Sequence, residues 1–125
     1  MSRIVLDTSV LIDVTRGLES ARAFLRSVIE TDELWSVTPV RTELLVGARP
    51  REVAEIWALF DLIQWQDVTA ALADEAGALA ARYSRSHRIG TVDSLLAAAT
   101  IELGGTVATL NVRDFPMFPG LQPPY

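Results

Sequence analysis

Four carboxylates in this largely apolar chain have the type and placement to do chemistry. Asp7 ends the apolar run Ile4-Val5-Leu6, and Glu43, Asp93 and Asp114 each fall at the edge of a predicted element. Four such groups brought to one place repel one another unless a cation lies between them, and hard divalent ions such as Mg²⁺ take oxygen donors of this kind. Such a set points to metal-dependent cleavage of a phosphodiester. Taken singly, each residue also has a plain structural use. Asp7 can cap the helix that follows it, and Asp93 can complement a helix dipole. Glu43 can sit on a solvated helix face, and Asp114, in Asn-Val-Arg-Asp, can be a turn residue. The chemical reading rests on the four together.

The elements that must position them alternate between strands and helices. Residues 3–7 read as a short buried strand, followed from Thr8 by a brief helix or turn ending near Gly17. Ser20 is placed to cap a helix whose Ala21, Phe24, Leu25, Val28 and Ile29 share one face. Leu34 to Val37 forms a second strand, and Thr38-Pro39 is a helix start with threonine as cap and proline first in the helix, which runs to about Ala48. A helix over about 51–63 carries Val53, Ile56, Trp57, Phe60 and Ile63 as its stripe. A short strand follows from Ile63 to Val68. Thr69 caps a long helix, Thr91 caps another that stops at Gly104-Gly105, and Thr106 to Leu110 is a strand. The proline-rich tail from Pro116 is loop with at most one short edge strand. Strands and amphipathic helices in this order predict an α/β domain over residues 1–125, with a parallel sheet covered on both faces. In such sheets ligands bind beyond the carboxyl ends of the strands, where all four carboxylates would lie.

Bulk composition bounds the alternatives. With 125 residues, 50% hydrophobic and 22% charged, the chain is long enough for a real core. It has no apolar stretch of bilayer length and no basic-then-apolar leader, so a cytoplasmic protein without membrane association is expected. Cysteine is absent, which removes thiolate chemistry, and all 11 basic residues are arginine. Phosphate-binding loops and Schiff-base mechanisms, which need lysine, are therefore excluded. The net charge of −5 argues against a general nucleic-acid binder, although metal ligands count as negative until an ion is bound.

The local sequences around the four carboxylates resemble the PIN-domain ribonucleases. The segment Ile4-Val5-Leu6-Asp7-Thr8-Ser9-Val10-Leu11-Ile12 is similar to the opening of that family, and residues 38–48, Thr-Pro-Val-Arg-Thr-Glu-Leu-Leu-Val-Gly-Ala, to its second motif. Residues 89–99 around Asp93 and residues 109–115, Thr-Leu-Asn-Val-Arg-Asp-Phe, are similar to the third and fourth. The resemblance spans the chain in family order, and the length fits the VapC-type toxins of toxin–antitoxin pairs. It implies a three-layer α/β/α PIN-like fold with a central, mostly parallel sheet of four to five strands. The implied activity is that of an endoribonuclease dependent on Mg²⁺ or Mn²⁺. Asp7 and Asp93 would be central ligands, Glu43 and Asp114 would hold a second ion or its waters, and Thr8 and Ser9 would stand beside the site. Asn111, where some relatives are acidic, leaves open how the last ligand is shared with Asp114.

The resemblance also implies partners: an RNA substrate (tRNA, rRNA or mRNA), a cognate antitoxin that inhibits the toxin, and a second copy in a homodimer. Arg82, Arg85 and Arg88, beside the lone His87, end the long helix before Asp93; they suit its dipole, and alternatively form a guanidinium strip for RNA phosphates. Trp35, Trp57, Phe60, Leu62 and Trp65 in the middle third either fill the core or form a groove for a partner. Two other readings compete: a catalytically inactive PIN-like module that only binds a protein, and a PIN nuclease of RNA maturation. A phosphatase of the haloacid dehalogenase type does not fit, because Ser9 stands where a second aspartate is needed and lysine is absent.

Overall fold

In the computed structural model, which describes residues 2–125, the chain forms β1 (Arg3–Leu6), α1 (Thr8–Thr15), α2 (Glu19–Ile29), β2 (Glu33–Val37), α3 (Thr38–Val46), α4 (Val53–Leu62), β3 (Gln64–Gln66), α5 (Ala70–Arg82), α6 (Thr91–Leu103) and β4 (Thr106–Ala108). Single 3₁₀ turns occupy Pro50–Glu52 and Val112–Asp114. The four strands make one sheet in the order β3-β2-β1-β4, and every pair is parallel. No strand follows Ala108 among the described residues, so the tail adds no edge strand and the sheet has four members. Helices cover it in a three-layer α/β/α arrangement: α6 packs on β1, β2 and β4 with α5 outside it, while α2 and α3 pack on β2.

This strand order creates a crevice. From β1 the chain winds outward through β2 to β3, then returns through α5 and α6 to place β4 on the other side of β1. Successive connections therefore leave the carboxyl end of β1 in opposite directions, which opens the cleft in which open parallel sheets bind ligands. β1 is central and contributes the fully buried Val5 and Leu6; α6 contributes a buried run from Ser94 to Thr100. Gly105 makes the close approach of β4 possible, because a Cβ there would stand 2.6 Å from the Arg3 carbonyl oxygen.

Several helix starts differ from the sequence expectation. The cap of α2 is Leu18 rather than Ser20, because Gly17, at φ 83°, turns the chain so tightly that Glu19 is already helical. Thr38 and Thr91 are the first residues of their helices rather than caps; Val37 and Gly90 hold the extended cap positions and neither gives a side-chain cap bond. The helix expected over about 51–63 splits into the Pro50–Glu52 turn and α4, and α3 stops at Val46 with Gly47 as its cap. Thr69 caps α5 as predicted, its hydroxyl accepting the Leu72 N–H at 3.1 Å. Among the described residues no helix is long and apolar enough to cross a membrane.

Candidate active site

Asp7 lies one residue beyond β1, is only 4% exposed, and is held from three directions. Its Oδ1 accepts the Thr8 N–H at 2.8 Å, so the capping role read from the sequence is real. Its Oδ2 accepts hydroxyl hydrogen bonds from Ser9 at 2.9 Å and Thr109 at 2.6 Å. A buried carboxylate with this many donors is kept in one rotamer, since turning away would strand each of them. The Asp7 N–H in turn donates to the Ala108 carbonyl, tying the end of β1 to the end of β4.

Glu43 is on α3, where Thr8 Oγ1 donates to its Oε1 at 2.6 Å. Thr8 thus donates twice, its backbone N–H to the Asp7 cap and its hydroxyl to Glu43, which links α1 to α3 at the rim of the crevice. Ser9 plays a similar double part, donating to Asp7 and accepting the Leu110 N–H at 3.2 Å. Asp93 occupies the third position of α6, where the helix dipole favours a negative charge.

Electrostatics bring the four together. Asp93 is half-buried, and its carboxyl is raised from an ordinary 3.8 to about 6, first by burial and then by the negative charges of Asp7, Asp114 and Glu43. A like-charge cluster has this signature. Among the described residues no three acidic or imidazole side chains are closed into a ready-made ion cage. Asp93 therefore feels the charge of the other three carboxylates without the four being closed around one point.

The last loop places Asn111 and Asp114 differently. Asn111 is exposed, gives its backbone N–H to Thr109 Oγ1 at 2.9 Å, and its carbonyl accepts the Asp114 N–H. Asp114, partly buried, is the residue of the pair whose charge Asp93 feels. Phe115, 1% exposed and stacked near Phe118 with centroids 6.3 Å apart, pins the loop to the core.

Thr109 is the residue that sequence reasoning missed. A hydroxyl at the end of a buried strand, just before the acidic loop, was the available signal, but strand ends often carry threonine, and only the fold brings it to Asp7. The arginines are less convergent than a helical strip. Arg82 ends α5, while Arg85 and Arg88 lie on the exposed connection to α6, and among the described residues none of the three forms an ion pair. His87, half-buried beside them, meets Ser86 through Nδ1 at 2.7 Å, a partner on its own loop.

The aromatic cluster of the middle third divides. Phe60 is core, and its ring stands edge-on to Trp57 and Trp65. The Arg41 guanidinium lies among the three, 4.2 Å from the Phe60 centroid, 5.0 Å from Trp65 and 5.8 Å from Trp57. Trp57 and Leu62 remain about half exposed, and Trp35 lies apart, against Arg3.

A family model described as PIN domain matches residues 4–118. The chain belongs to the PIN-domain family. Within that family it is similar to Ribonuclease VapC19 of Mycobacterium tuberculosis, 43% identical over 123 residues that cover 97% of this chain and 98% of that protein. Ribonuclease VapC10 of the same organism is 40% identical over 123 residues, covering 98% and 92%. These relatives place this PIN domain among the VapC proteins. Among solved structures, a toxin–antitoxin complex from Klebsiella pneumoniae matches with a TM-score of 0.82 at 21% identity, over 98% of both chains. VapBC2 from Rickettsia felis, bound to a promoter DNA fragment, matches with a TM-score of 0.79 at 19% identity, over 95% of both chains. The likeness to these two structures is one of PIN fold.

Proposed function

We propose that this protein is an endoribonuclease that hydrolyses RNA phosphodiester bonds with the help of Mg²⁺ or Mn²⁺, and acts as the toxin of a toxin–antitoxin pair. The observation that carries the reading is the coupling of Asp93 to Asp7, Glu43 and Asp114 across the crevice at the carboxyl end of β1. Such a concentration of negative charge opposes folding and weakens RNA approach unless a cation joins it. The donor set is oxygen only, which suits hard divalent ions. Asp7 and Asp93 would hold the cation, with Glu43 and Asp114 holding a second or orienting water. A bound ion would neutralise charge on the scissile phosphate and make water a competent nucleophile near neutral pH.

The chain's own residues do the rest. Ser9 and Thr8 keep Asp7 and Glu43 oriented. Arg82 at the end of α5, and Arg85 and Arg88 on the connection leading to Asp93, are the proposed contacts for RNA phosphates. The named VapC ribonucleases and the toxin–antitoxin complexes support a cognate antitoxin as inhibitor. The ribonuclease names also support action on RNA, and we extend the reading to the cytoplasm and to a homodimer. Degenerate binding modules would be expected to lose carboxylates, and here all four positions are filled.

The test is cleavage of a labelled pool of tRNA, rRNA and mRNA by the purified protein with Mg²⁺, Mn²⁺ or EDTA, beside Asp7→Asn. Discrete cuts that need the metal and vanish in a folded Asp7→Asn protein are expected. Unimpaired cleavage by that variant would remove Asp7 from the chemistry.

A further inference from the structure

The hydrogen bonds around Asp7 specify which of its atoms remains available. A carboxylate oxygen carries two acceptor positions. Oδ2 uses both, for Ser9 Oγ and Thr109 Oγ1, while Oδ1 uses one, for the Thr8 N–H. One lone pair on Oδ1 is left. Thr109 is fully buried, so its hydroxyl cannot meet a substrate. That hydroxyl also accepts the Asn111 N–H at 2.9 Å. With the amide donating to it, the hydroxyl proton is directed at Asp7 Oδ2, and a single Oγ1 spans the distance between Asp7 and the loop that carries Asp114.

We propose that Thr109 is a positioning residue that locks Asp7 so that it offers Oδ1 alone to a divalent cation and sets the spacing between Asp7 and the Asp114 loop. The inference rests on the reading of the site as a divalent-cation nuclease. Asp7 then binds the ion through one oxygen, and the loop moves with it as a unit. Residues that orient a metal ligand in this way contribute roughly 10- to 100-fold to metal affinity.

The experiment compares Thr109→Val, which keeps the shape and loses the hydroxyl, with Thr109→Ser, which keeps the hydroxyl. Mn²⁺ binding is measured by calorimetry, amide hydrogen exchange at Asn111 by NMR, and RNA cleavage over a range of RNA concentrations up to saturation. Thr109→Val should bind Mn²⁺ roughly 10- to 100-fold more weakly, exchange the Asn111 amide faster, and lose kcat with KM for RNA unchanged. Thr109→Ser should match the wild type in all three. Should Thr109→Val fail to fold, Thr109→Cys, with a weak donor of similar volume, makes the same comparison. Wild-type Mn²⁺ affinity in a folded Thr109→Val protein overturns the inference while leaving a cleaving wild type, and so the nuclease reading, intact. Loss of Mn²⁺ binding in Thr109→Val alone, with no RNA cut by the wild type, supports the positioning role and removes the nuclease reading. A wild type that binds no Mn²⁺ overturns the inference.

Discussion

Removing the charge of Asp93 should make the metal-free protein more stable, and the size of the effect follows from the crevice. Burial and three neighbouring carboxylates raise Asp93 from 3.8 to about 6. A folded-state value above the unfolded one means that ionisation is costlier in the fold. The neutral form therefore confers relative stability that is fully present below about pH 3.8 and lost as pH rises through about 6. Roughly two pH units at 1.36 kcal/mol each is about 3 kcal/mol. Asp93 is only half-buried, so screening by water reduces this to about 1–2 kcal/mol. Asp93→Asn should accordingly melt higher than the wild type at pH 7.5 in EDTA, by roughly 3–8 °C for a chain of this size. The gap should close toward pH 4.5, where the wild-type carboxyl is itself neutral. Thermal melts of both proteins across that pH range, with EDTA and then with Mn²⁺, make the measurement. Mn²⁺ should raise the wild-type Tm at pH 7.5 and leave the variant nearly unmoved. Identical pH profiles for the two proteins in EDTA would refute the clustering argument, because no charge repulsion would then have been relieved.

Two further outcomes are expected elsewhere in the molecule. Replacing Arg82, Arg85 and Arg88 together by glutamine should weaken RNA binding and flatten its salt dependence, since fewer counterions are released when fewer phosphates are neutralised; unchanged affinity from low to high salt would show that these exposed side chains do not meet RNA. Arg41→Ala should lower unfolding free energy by about 1–2 kcal/mol, because the guanidinium no longer lies on the rings and its stem no longer packs, with metal binding retained; an unmoved urea midpoint would mean that the three rings hold α3 to α4 and β3 without the guanidinium.

The periodicity of the chain carried most of the fold. The α/β class, the parallel sheet, the Thr69 cap of α5 and the Gly104 stop of α6 are all legible, because alternation, capping chemistry and left-handed glycine act over a few residues. Helix starts at Ser20, Thr38 and Thr91 were displaced by one or two positions, since a hydroxyl in the right neighbourhood does not reveal which residue leaves the helical region first. The third strand falls inside the expected Ile63 to Val68, at Gln64–Gln66, whereas whether the tail adds an edge strand depended on long-range pairing, about which local propensity had little to say. The aromatic residues of the middle third could be assigned to core or surface only after α4 was set against β3, which buried Phe60 and left Trp57 half in water.

The sequence by itself determined the inventory of the candidate site: four carboxylates, two hydroxyls after the first, no thiol and no lysine, in motifs that resemble those of the PIN-domain family. Those are properties of residue type and spacing, and they survive without coordinates. Only the tertiary structure decided how the inventory acts. Reversal of the winding direction at β1 places Asp7, from the start of the chain, beside Thr109 from near its end, 102 positions away, with their oxygens 2.6 Å apart. That contact has no local signature, because hydrogen bonds depend on distance in space and the chain can bring any two residues together. The same holds for the raised carboxyl of Asp93, which is set first by burial in the fold and then by charges delivered from three other parts of the chain.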